Sequence, residues 1–274
     1  MRVRLDIAYD GTAFRGWARQ PGLRTVQGEI EAALTTALRT ADPVRVVCAG
    51  RTDTGVHARG QVAHADVPAD RWAEQGDRLV RRLAGLLPDD VRVHRAVIAP
   101  DGFDARWSAG SRTYAYRVSD RPGGADPLAR SYVLHHPGRG GAPLDVEALN
   151  AASALLLGEH DFAAFCRRRD GASTVRTLLE LSWSRDDERL VVMHVKADAF
   201  CHSMVRSLVG ALLPVGDGRR PVEWPASILA AGRRDPDADV ASPKGLCLEH
   251  VEYPPDDQLA AQAARAKRVR GPLA

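Results

Sequence analysis

Lysine is almost missing from this chain. Of its 38 basic residues, all but Lys196, Lys244 and Lys267 are arginine. Arginine is the better fork for phosphate and the better cation for stacking on a base. A codon bias towards arginine produces the same count, so the count leaves both readings open. Aromatic residues make up only 5%, which argues against a single-strand binder built on successive stacked aromatic platforms. Cysteine is sparse: Cys48, Cys166, Cys201 and Cys247 lie far apart, and no C-x-x-C pair occurs. That spacing argues against a zinc ribbon or a disulfide framework. The expectation is four buried or idle thiols in a reducing compartment. No apolar run reaches the roughly 18 residues that a membrane span needs. The opening MRVRLDIAYDG lacks the apolar core of a signal peptide, so the expected location is the cytoplasm. A net charge of +3 does not mark a nucleic-acid surface by itself. What remains is an ordinary globular composition, 45% hydrophobic and 27% charged over 274 residues, enough for one large domain or two smaller ones.

Hydrophobic periodicity orders the chain. Val3, Leu5, Ile7 and Tyr9 alternate, which predicts a strand over 2–9; Val26, Ile30, Ala33, Leu34 and Leu38 recur at helical spacing after Thr25, a good N-cap. Residues 43–48 and 60–67 read as strands, 75–87 as a helix ended by Pro88, and 91–98 as a further strand. The second half repeats the rhythm: a strand over 111–118, a helix over 145–157, a hairpin of 176–183 with 189–200, a helix over 202–215 and a strand over 244–253. Two similar α+β halves imply mixed sheets with helices to one side. The boundary is placed at Pro100–Ala105, giving an N-terminal half of 1–104 and a C-terminal half of 105–274. Residues 122–131 and 137–143 read as long loops, and the tail from Gln258 as a helix followed by a fraying basic end.

The densest chemistry lies in AGRTDTGVHARGQVAH, residues 49–64. It sets Asp53 on a short glycine-containing loop between two strands, where a rigid scaffold can position a functional group. Asp53 is then a candidate nucleophile or general base, or an aspartate that caps a turn through its own side chain. His57 and His64 lack the spacing and the companion ligands of a metal pair. The glycines at 138, 140 and 141 make no dinucleotide fingerprint, and no G-x-S-x-G elbow is present. Tyr114 and Tyr116 share one strand face, packed in the core or with one hydroxyl in a cleft. Arg206 lies on an otherwise apolar helix, either facing solvent or partly buried against a carboxylate. Arg167, Arg168 and Arg169 form a basic loop suited to solvent or to phosphate. A carboxylate hydrolase would need a second acid near Asp53; Asp104 and Asp161 are available, with nothing in the sequence to bring them close.

The segments YDGTAFRGWARQPGLRTVQGEIEAAL, GRTDTGVHARGQVAH, FDARWSAGSRTYAYRV, GEHDFAAF, ADAFCHSMVRSLVGAL and KGLCLEHVEY occur in the order found in the tRNA pseudouridine synthase A family, which the chain resembles from about residue 3 to residue 253. The resemblance implies the α+β pseudouridine-synthase fold, a mixed, largely antiparallel sheet with helices and two related halves flanking a central cleft. It implies isomerisation of uridine to pseudouridine at tRNA positions 38, 39 and 40, in the anticodon stem-loop. It further implies no cofactor and no metal, tRNA as partner, and a homodimer. Asp53 matches the family's aspartate, Tyr114 its active-site tyrosine and Arg206 the arginine that partners the aspartate. Arg51, Tyr114, Leu246 and Leu248 are the expected substrate-binding residues. Arg15, Trp17, Arg106, Arg167, Arg168 and His202 are the expected RNA contacts. Ala18, Ser203 and Cys247 depart from the usual pattern, and none removes a catalytic group. The competing reading is a non-catalytic RNA-binding or tRNA-chaperone protein on the same fold, for which a carboxylate such as Asp53 has no purpose.

Overall fold

The computed structural model describes residues 1–167 and 173–267; Arg168 and Arg169 and the basic end of the tail lie outside the described residues. In chain order the elements are β1 (Arg2–Tyr9), α1 (Val26–Leu38), β2 (Val46–Cys48), β3 (His57–Asp66), α2 (Ala69–Gln75), α3 (Leu79–Leu86) and β4 (Val91–Ile98). There follow β5 (Ser111–Ser119), β6 (Leu134–His135), α4 (Val146–Ala154), β7 (Gly158–Asp161), β8 (Val175–Arg185) and β9 (Val191–Ala197). The last are α5 (Met204–Gly216), α6 (Trp224–Ala231), β10 (Leu246–Glu252) and α7 (Leu259–Ala266).

The chain folds as two compact units. The first comprises Met1–Gly110 with residues 248–267, the second Ser111–Cys247, so the division falls inside β10. The boundary drawn from the sequence at 104/105 differs from this in two respects: the first unit runs on to Gly110, and the chain returns to it after Cys247.

In the first unit β1 is flanked by β3 and β4, both antiparallel, and β2 pairs antiparallel with the far edge of β3. Val3, Leu5, Ile7 and Tyr9 are buried on the inner face of β1, as their alternation requires. Thr25 caps α1 by accepting from the Gly28 N–H, and the helix buries Val26, Ile30, Leu34 and Leu38. The helix expected over 75–87 is α3, which starts only at Leu79, and a separate helix, α2, not anticipated from the sequence, precedes it. α2 ends at Gln75, and a single tight turn over Gly76–Arg78 precedes α3. The Trp72 ring lies where a side chain at 76 would stand, 2.8 Å from that Cβ position, so glycine is the residue that fits, and glycine weakens a helix.

In the second unit β9 lies between β5 and β8, and β7 closes the edge, all antiparallel; β6 adds a short parallel pairing to β5. The helix α4 is fixed to β8 by a reciprocal amide pair: Asn150 Nδ2 donates to the Trp183 carbonyl at 2.9 Å, and the Trp183 N–H donates to Asn150 Oδ1 at 2.8 Å. The expectation of four idle thiols is corrected here. Cys166 and Cys201, with Cα atoms 5.7 Å apart, form a disulfide; Cys48 and Cys247 are free and buried. Sequence spacing hides this pair because the two thiols meet only when the turn after β7 comes back against the entry to α5.

Candidate active site

Asp53 sits half-buried on the loop between β2 and β3, as the Gly-containing spacing requires. The loop closes on itself through the Val56 N–H, which donates to the Asp53 carbonyl at 3.1 Å. Its bed is the second signature segment, residues 10–17. Trp17 N–H donates to the Thr52 carbonyl at 3.0 Å, and the Gly11 N–H donates to His57 Nδ1 at 3.1 Å. Two glycines make this backbone-on-backbone approach feasible. A Cβ at Gly11 would stand 2.0 Å from the Val56 carbonyl oxygen. At Gly16, whose φ is +87°, it would stand 3.0 Å from the Thr52 carbonyl oxygen and 3.3 Å from the Asp53 carbonyl carbon. Only glycine adopts such a φ without strain and leaves that space open.

Polar groups pin the loop from beneath. The Tyr9 hydroxyl, at the end of β1, is 2.8 Å from Thr52 Oγ1. Gln61 on β3 donates through Nε2 to the Gly50 carbonyl at 2.8 Å and to the Tyr9 hydroxyl at 3.3 Å. Tyr9, Thr52 and Gln61 are all buried. Trp17 is also buried, 1% exposed, with its ring 5.9 Å from that of Tyr9. It therefore offers no surface to RNA; the expected contact is corrected to a packing role, because the indole fills the space beneath the Asp53 loop.

The second unit carries Tyr114, Arg206 and Leu246. Tyr114 is buried on β5 and meets Phe200 edge to face, with ring centroids 5.2 Å apart. Its neighbour on the same strand face, Tyr116, is fully buried and donates its hydroxyl to the Ser242 carbonyl at 2.8 Å. Burial pushes the Tyr116 hydroxyl well above the usual tyrosine range, opposed in part by the Arg206 charge. Tyr116 is thus a core residue. Arg206 is half-buried near the start of α5. Its Nε donates to the Ala241 carbonyl at 2.6 Å, while its own carbonyl accepts from the Ala241 N–H at 3.0 Å. The segment 239–245 thus straps Arg206 of α5 to Tyr116 of β5 and delivers Leu246 at the start of β10. Ser203, with a left-handed φ of 64°, turns the chain into α5.

The remaining expected residues are distributed as follows. Arg51, Arg15, Arg106 and Arg167 are exposed; the Arg106 guanidinium lies over the Trp107 ring, 4.6 Å from its centroid. Arg167 is tied through its N–H to the carbonyl of the half-buried His202 at 3.0 Å. Leu246 and Leu248 are buried, in different units. Arg168 lies outside the described residues. Asp104 accepts from the Arg106 and Trp107 N–H groups and Asp161 from the Ala163 N–H, so both carboxylates cap local turns. His64 Nδ1 accepts from the Ala105 N–H. Sequence reasoning missed Tyr9, Gln61, Gly11 and Gly16 as parts of this site. Gln61 on the buried face of a strand was the available signal.

The sequence pattern of the family described as tRNA pseudouridine synthase matches residues 7–108 and 152–254, which include the Asp53 loop, α5 and β10. A protein of Streptomyces griseus named tRNA pseudouridine synthase A is 59% identical over 271 residues, spanning 98% of this chain and 94% of its own. Proteins of the same name from Streptomyces avermitilis and Mycobacterium leprae are 57% and 50% identical, each over 98% of this chain. A pattern that spans both units, with relatives this similar along almost the whole length, means that the chain belongs to the tRNA pseudouridine synthase family.

Proposed function

We propose that this chain isomerises uridine to pseudouridine in the anticodon stem-loop of tRNA, at positions 38, 39 and 40, with Asp53 as the reacting carboxylate. The observation that carries the reading is the Asp53 loop itself. An aspartate stands between two threonines on a turn whose backbone is held on both sides by hydrogen bonds and by two close-packed glycines. A protein that only binds RNA has no use for a carboxylate fixed in this way.

The reaction breaks the bond from ribose C1′ to N1 of the base and forms one from C1′ to C5. The proton leaves C5 and N1 gains one, so the overall change needs no oxidant, reductant or group donor. Asp53 acts on the sugar, by attack at C1′ or by removal of a sugar proton. Tyr114 supports the base and assists loss of the C5 proton. Arg206 supplies the cation that favours an ionised carboxylate in a reaction centre, and Leu246 an apolar wall. A uridine in a helical stem must first be flipped out, at a cost of a few kcal/mol. Exposed Arg15, Arg51, Arg106 and Arg167 are suited to hold phosphates. The enzyme is proposed to work as a homodimer, a reading supported by the family resemblance and tested by sedimentation equilibrium. Among the described residues no helix is long and apolar enough to cross a membrane.

The test is pseudouridine mapping of an unmodified tRNA transcript incubated with the parent and with Asp53→Asn. Pseudouridine at 38–40 with the parent alone is the expected result. Salt-sensitive binding without product in the parent would replace this reading with the RNA-chaperone one; substantial turnover by Asp53→Asn would remove Asp53 from the chemistry.

A further inference from the structure

We propose that Tyr9 and Gln61 are positioning residues for the reaction: with Thr52 they form a buried polar chain that holds the Asp53 loop in its reactive placement. The proposal rests on Asp53 being the reacting carboxylate. Its starting point is an anomaly of burial. The inner side of this sheet is otherwise lined by Val3, Leu5, Ile7, Ala63 and Ala65, yet it contains a completely buried glutamine and a buried tyrosine hydroxyl. Apolar residues of similar size would pack there without the cost of desolvating an amide and a hydroxyl.

The bonds made by Gln61 Nε2 and the Tyr9 hydroxyl explain why these groups are polar; Gln61 Oε1 makes none among the described residues. Gln61 Nε2 donates to the Gly50 carbonyl and to the Tyr9 hydroxyl. The Tyr9 hydroxyl, which accepts from Gln61, also shares a hydrogen bond with Thr52 Oγ1, 2.8 Å away. The chain thus runs from β3 through the end of β1 to the loop and fixes residues 50 and 52, just ahead of Asp53. On the other side the Thr52 carbonyl accepts from the Trp17 N–H, and the Asp53 carbonyl accepts from the Val56 N–H. Thr52 is therefore held by both its side chain and its backbone, and the direction in which Asp53 leaves the loop is set by groups that never reach substrate. Displacement of a reacting group by about 1 Å is enough to cost roughly a hundredfold in rate.

The experiment compares Tyr9→Phe, Thr52→Val, Thr52→Ser and the double variant Tyr9→Phe/Thr52→Val. It measures kcat and KM on an unmodified tRNA transcript, near-ultraviolet circular dichroism for folding, and hydrogen exchange at the Trp17 amide. The expected result is a kcat about tenfold lower in each of Tyr9→Phe and Thr52→Val, the rate equivalent of one buried hydrogen bond. KM stays within about twofold, since uniform substrate binding is untouched. Thr52→Ser, which keeps the hydroxyl, recovers most of the turnover lost in Thr52→Val. The double variant is no slower than the worse single one, because both remove the same bond. The Trp17 amide exchanges faster in Tyr9→Phe. Should Tyr9→Phe fail to fold, Thr52→Val carries the test from the loop end of the same bond. Parental kcat in folded Tyr9→Phe and Thr52→Val, a rise in KM alone, or Thr52→Ser as slow as Thr52→Val overturns the positioning proposal while leaving the function of Asp53 in place. A parent that makes no pseudouridine overturns the assignment of Asp53 and this proposal with it.

Discussion

Replacing Gly16 by alanine tests whether the two signature segments are mechanically coupled. The new methyl group incurs two costs. The first is conformational: a φ of +87° is foreign to an L residue and costs about 1–2 kcal/mol. The second is steric. The Cβ stands 3.0 Å from the Thr52 carbonyl oxygen, 3.2 Å from the Thr54 nitrogen and 3.3 Å from the Asp53 carbonyl carbon. These are backbone atoms that cannot rotate away, and overpacking against them costs a further ~1–3 kcal/mol. Gly22 separates the two costs. Its φ is +70° and no atom lies within 4 Å of its Cβ position, so Gly22→Ala carries only the first. The assay is a pair of denaturant melts together with pseudouridine formation. Gly16→Ala is expected to lose about twice the stability that Gly22→Ala loses. It is also expected to lose turnover by about tenfold or more, because relief of the contact moves the loop that bears Asp53. Equal losses of stability and unchanged turnover in the two variants would refute the coupling.

Other expectations follow from the same structure. Burial pushes the Cys48 thiol up to about 12, so at pH 8 it stays protonated and iodoacetamide should label it only after unfolding; rapid labelling of the native protein would contradict its burial. Reduction of Cys166–Cys201, which encloses 35 residues, should destabilise the chain by about 4 kcal/mol by freeing the unfolded state; identical melts with and without dithiothreitol would exclude that contribution. The Asp66 carboxyl is held below the usual range chiefly by its hydrogen bond to Arg2. Those of Asp120 and Asp217 are also held low: burial opposes ionisation there, and hydrogen bonds led by Arg185 and Arg219 outweigh it. On acidification the unfolded carboxylates take up protons first, so this stabilisation is complete above the ordinary carboxylate range and is lost as the pH falls through the depressed folded values. Denaturant midpoints should change little from these groups between pH 6 and 8 and fall steeply below about pH 4, less steeply in Asp120→Asn.

The local elements were legible in the sequence because their cause is local. The alternation of Val3, Leu5, Ile7 and Tyr9 buries one face of β1, and Thr25 starts α1 as an N-cap should. The motif around Asp53 located the candidate site and the family from residue identity alone. Where a neighbour distant in sequence intervened, the pattern was insufficient. The elements α2, β7 and α6 were too short or too uniformly apolar to show a period. The tertiary structure alone decided that Trp17 is packing and not surface, that Tyr116 is locked to Ser242, and that Cys166 meets Cys201. It also showed why Gly11 and Gly16 are glycines: each leaves room for a backbone some 40 residues further along the chain. Periodicity records which side of an element avoids water. Which two loops lie against each other depends on where the elements between them place their ends, and a glycine permits such an approach without specifying its partner.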